Sequence, residues 1–146
     1  MTDFALLGRY AVATAAALVA LYLLNIVLLM VADYTLNSGV AAVTAAVPAL
    51  YIGAYHAKTT GTALASGRMW KLAVLGILLN VAVGFGLFAL AGVLTGVSIL
   101  SMISAFNPAV FGAIMVGVIV IYVLIARFFM GLGQRQELKR QEKAAR

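Results

Sequence analysis

Leu72 to Ala126 reads LAVLGILLNVAVGFGLFALAGVLTGVSILSMISAFNPAVFGAIMVGVIVIYVLIA, 55 consecutive residues without a charged side chain, bounded by Lys71 and Arg127. A helix crossing a bilayer uses about 20 apolar residues, so this run is too long for one crossing and long enough for two. Gly92, Thr95, Gly96, Ser98, Ser101 and Ser104 gather ahead of Asn107-Pro108, where helix propensity falls and a new helix can begin. The stretch therefore reads as a transmembrane hairpin.

Outward from it, the chain keeps the same character. Of 146 residues 65% are apolar and 10% charged, with mean hydropathy +1.12, whereas globular chains carry roughly 25% charged residues. The absence of cysteine excludes disulfides, thiolate metal sites and a lipid anchor on Cys. The net charge of +6 sits at the chain ends and in one loop, which is how a membrane protein holds its orientation and not how a groove follows nucleic acid.

Tyr10 to Ala32 is a 23-residue uncharged run, longer than the roughly 7 to 15 residues of a signal-peptide core, and it is read as an uncleaved first span. Asp33 to Gly39 is a turn without cations. A second span covers about residues 40–57, with Pro48 near its middle, where the ring removes one backbone hydrogen bond. Lys58 to Arg68 (KTTGTALASGR) is the polar internal loop. A third span covers about 69–93 and a fourth about 108–130, closed by Gly131-Leu132-Gly133 as a helix cap. Residues 95–106 suit a short interfacial helix.

The expected fold is thus an all-α integral membrane protein, a four-span antiparallel bundle over residues 1–133. Residues 134–146 follow as a basic, solvated tail, helical only in part. With four spans all ten Lys and Arg fall on one side and none on the other, which places both termini in the cytoplasm.

Chemistry is sparse. Burying a charge at the bilayer centre costs at least about 2.5 to 3.5 kcal/mol and marks transport or proton relay. No span centre carries one, which argues against proton-coupled antiport. Asn25 and Asn80 form the strongest polar pair. Counted from the cytoplasmic span ends their depths differ by roughly 6 Å. They read as interhelical hydrogen-bonding groups or as a polar site between spans one and three. Small residues recur at spacing four in Ala45-Ala49-Gly53, in Gly76 and Gly84 flanking Asn80, and in Ala113-Gly117, the pattern that lets helix backbones approach. His56, the lone histidine, lacks companions for a catalytic zinc, and no cofactor is expected. His56, Lys58, Arg68 and Lys71 form a basic cluster suited to lipid phosphate or an acidic partner, with the tail a second place for anionic lipid.

The segment Tyr55 to Leu72 (YHAKTTGTALASGRMWKL), between spans two and three of a four-span chain with a short basic tail, resembles the bacterial inner-membrane proteins of the ABZJ-type family. Lys58, Gly61, Ser66, Trp70 and Lys71 carry the resemblance, while Thr62 stands where that family commonly has arginine and Ala65 where it has proline. The resemblance implies a bacterial source and carries no activity with it.

These readings lead to two expectations. The first is a non-enzymatic inner-membrane protein acting through helix contacts, as an accessory subunit or a homo-oligomer. The alternative is a small transporter or channel for a neutral or weakly polar solute, lined by Asn25, Asn80, Thr14, Thr44 and Tyr22. Acid–base or nucleophilic catalysis needs positioned partners that the spans do not offer.

Overall fold

The computed structural model describes residues 2–35, 42–96 and 107–145. Among them are four helices, α1 (Asp3–Ala32), α2 (Val43–Thr60), α3 (Ser66–Thr95) and α4 (Pro108–Ala144), and no strand. Three of the four, α1, α3 and α4, are long and apolar enough to cross a membrane. Among the described residues the second does not reach that hydropathy: its 18 residues span about 27 Å and include His56, Lys58 and three threonines.

The helix ends follow local chemistry. Asn107 Oδ1 accepts from the Ala109 N–H (3.0 Å) with Pro108 in the first turn, so α4 starts where the sequence places a fold point. Gly61 and Gly96 end α2 and α3 in the left-handed conformation, at φ +65° and +71°. The proposed interfacial helix falls largely on residues 97–106, outside the described residues.

Two boundaries differ from expectation. Helix α1 begins seven residues before Tyr10, at Asp3. Helix α4 does not stop at Gly131-Leu132-Gly133 but runs unbroken to Ala144, so the residues set apart as a tail continue the last helix. Gly133 is buried in contact with α2, and its missing side chain serves that approach instead of a cap: a Cβ there would collide with the Leu50 carbonyl. Gly53 does the same from the other helix, against the Met130 backbone.

The short helix is the hub. Helix α2 packs most closely on α4 and also touches α1 and α3. The core is built from Leu6 and Tyr10 of α1, Ala45, Ala49 and Ile52 of α2, Leu72 and Ile77 of α3, and Ala126 and Met130 of α4. All lie toward the end of the bundle that carries the cations. Beyond Thr14 no residue of α1 is buried, and Tyr22, Met30 and Val31 are widely exposed. Such apolar surface at the far ends of long helices suits lipid and would be costly in water.

Candidate functional site

Two polar constellations stand out, one at the cation-bearing end and one inside the bundle. At the end, Asp3 of α1 bridges two cations in the first turns of α3: Oδ1 accepts from Arg68 Nε (2.7 Å) and Oδ2 from Lys71 Nζ (3.1 Å). The Arg68 hydrogen bond, followed by that of Lys71, holds the Asp3 carboxyl below its ordinary range. Arg127 on α4 donates to Ser66 Oγ (3.1 Å) and lies over the Trp70 ring (4.7 Å). Arg9 lies over Tyr55 (4.1 Å).

The extension of α4 is tied to the loop it runs past. Gln134, nearly fully buried, accepts from the Leu64 N–H (2.9 Å). Gln141 Nε2 donates to the Ala57 carbonyl (3.3 Å), one of the last acceptors of α2. The threonines after His56 direct their hydroxyls to their own helix, Thr59 to the Tyr55 carbonyl (2.9 Å) and Thr60 to that of His56 (2.8 Å). The hydroxyls of Thr59 and Thr60 are therefore engaged within their own helix.

Inside, Asn80 Nδ2 donates to the Thr44 carbonyl (3.1 Å). Thr44 is four residues before Pro48, so this carbonyl is the one the proline ring cannot reach with an N–H. Tyr10 Oη makes a long contact to the next carbonyl, Ala45 (3.5 Å), and its ring fills the space left by Gly76. Thr14, one turn further along α1, is fully buried, and among the described residues its hydroxyl has no hydrogen-bond partner.

Of the residues singled out in the sequence, Ala45, Ala49, Gly53 and Gly76 lie within the chain's own packing. Gly84 and Gly117 face open space, and Ala113 is exposed. Arg68 and Lys71 come together on Asp3. Lys58 is exposed, while His56 is buried, with no partner for Nδ1 among the described residues. Asn25 stands half-buried in the far half of α1. The contacts of Asp3 with Arg68 and of Tyr10 with Gly76 set α1 and α3 in a register that puts Asn80 level with Thr14. Asn25 is then about 16 Å further along, not 6 Å, so the two asparagines are not brought together within one chain. The 6 Å figure aligns Tyr10 with Met69, the expected first residues of spans one and three, although Tyr10 packs on Gly76.

Sequence reading missed Asp3, Tyr10, Arg9 and Gln134. Asp3 alone carried a signal, as the acidic residue on the side of the cations that lies outside the C-terminal segment.

Among the described residues, apolar clefts flank the bundle on two sides. One, of about 640 Å³, lies between α1 and α2 and is lined by Arg9, Ala13, Ala16, Ala20, Val47 and Tyr51 among others. The second, of about 330 Å³, lies between α3 and α4, with Asn80, Gly84, Phe88 and Ile119 in its wall. Comparison with protein-family profiles, with curated proteins and with solved structures finds no match for this chain.

Proposed function

We propose that this chain is a small non-enzymatic membrane protein with four crossing helices, α2 crossing under cover of the three apolar helices it packs on, that works through lateral helix contacts, as an accessory subunit of a larger membrane complex or as its own oligomer. The observation that carries the reading is the unequal use of its small residues. Ala45, Ala49 and Gly53 are consumed in closing the core, whereas Gly84, Ala113 and Gly117 on α3 and α4 leave open or exposed backbone. Small residues facing outward let another helix approach closely. The ten cations gathered on one side of a four-span chain support both termini in the cytoplasm, and the family resemblance supports a bacterial inner membrane.

Extraction in mild detergent followed by native mass measurement tests this. Species heavier than the 15.3 kDa chain support it, and a monomer alone overturns it. Because the chain has no cysteine, single cysteines at Ala113 or Gly117 report directly whether that face meets another copy.

The transporter reading draws on one feature, Asn80 at the wall of the α3–α4 cleft. Solute flux in liposomes that Asn80→Leu abolishes would favour it over the contact reading.

A further inference from the structure

The α1–α2 cleft has a polarity that its small residues alone do not explain. Its walls are almost wholly apolar, from Gly8 to Ala20 on α1 and at Val47 and Tyr51 on α2, and one cation, Arg9, stands at its mouth. Arg9 is exposed and has no ion-pair partner among the described residues, whose salt bridges both belong to Asp3. Its guanidinium is held over the Tyr55 ring at 4.1 Å, and the Tyr51 ring lies 5.9 Å from that of Tyr55. A guanidinium held by a ring face keeps its N–H donors for an oxyanion, and phosphate matches their fork. From Gly8 to Ala20 the cleft runs about 18 Å, close to the ~15 Å depth of one leaflet of hydrocarbon.

We infer that this cleft seats one anionic phospholipid of the cytoplasmic leaflet, its phosphate on Arg9 beneath the two tyrosines and an acyl chain along Ala13, Ala16 and Ala20. The leaflet rests on the orientation proposed above; the seat itself does not. Charge decides against a second copy as occupant. Asp3 is already held by Arg68 and Lys71, Asp33 ends the far end of α1, and Glu137 and Glu142 lie beyond the apolar part of α4. Both glutamates stand among the five cations of residues 135–146, so in a neighbour that segment as a whole repels Arg9. The site also differs from the loop cations, two of which are engaged by Asp3.

Delipidated full-length protein titrated with phosphatidylglycerol or with phosphatidylcholine of the same chains, and read by native mass spectrometry, tests the inference. The wild type should retain one phosphatidylglycerol per chain with at least ~10-fold preference over phosphatidylcholine. Arg9→Gln should bring that preference to near unity, and Arg9→Lys should restore part of it. Ala16→Leu should lower retention of both lipids by filling the cleft. Ala20→Leu, one turn further along, serves the same purpose if Ala16→Leu does not fold. Equal retention of the two lipids by the wild type, unchanged preference in Arg9→Gln, or displacement by millimolar inorganic phosphate would overturn the inference, the last by pointing to a free-anion site. Lipid adducts are counted separately on monomer and oligomer peaks, so loss of oligomer and loss of lipid are distinguishable.

Discussion

The Asn80 side chain on α3 donates 3.1 Å to the backbone carbonyl of Thr44 on α2, standing in for the N–H that Pro48 lacks. A proline inside a membrane helix is tolerated when a neighbour satisfies the backbone it frees, and here the neighbour is identifiable.

That relationship predicts coupling between two positions on different helices. Asn80→Leu should destabilise the protein by about 1 to 2 kcal/mol. In a Pro48→Ala background, where the backbone N–H gained at that position would restore the helical donor to Thr44, the same change should cost clearly less. Thermal melts of the double-mutant cycle in detergent measure the difference. Equal costs in both backgrounds would remove the compensation argument.

The close approach of α2 and α4 predicts a sharp contrast among glycines. Gly53→Ala and Gly133→Ala each place a methyl group against the facing backbone, and should cost on the order of 1 to 3 kcal/mol. Gly84→Ala and Gly117→Ala meet nothing, and should be neutral or stabilise the monomer by up to ~1 kcal/mol through helix propensity. Midpoints of thermal unfolding for the four variants decide the matter.

Gln134 gives the α4 extension a measurable structural role. Gln134→Ala leaves the buried Leu64 N–H without its acceptor, and should cost about 1 to 3 kcal/mol. Amide exchange at Leu64 should accelerate in the variant. An unchanged rate at that amide would show that the extension is not docked.

Asp3 predicts a pH dependence. Its folded pKa lies below the ordinary 3.8, chiefly through the Arg68 hydrogen bond, so its contribution is present above that value and lost as pH falls through the lowered folded value. The pair is partly solvated, which limits the contribution to about 1 kcal/mol or less. Wild type should exceed Asp3→Asn in stability near neutral pH, and the two should converge at pH below 3.8. A gap of constant size across that range would mean that the carboxylate charge is not what ties α1 to α3.

Composition and the 55-residue uncharged run by themselves determined that the chain is helical and has helices apolar enough to cross a membrane. Asn107-Pro108 marked the start of the last helix, because capping and proline geometry are local properties. Tertiary structure alone decided the register. The expected first and third spans begin at Tyr10 and Met69, yet Tyr10 packs on Gly76, and that shift separates Asn25 from Asn80. It also decided which small residues are spent inside, since Gly53 and Gly117 look alike at spacing four and differ only in what lies opposite. Gln134 and Asp3 owe their partners to residues some 65 to 70 positions away in the chain. A hydrogen bond across that distance leaves no periodic trace, because its geometry exists only after the helices have packed.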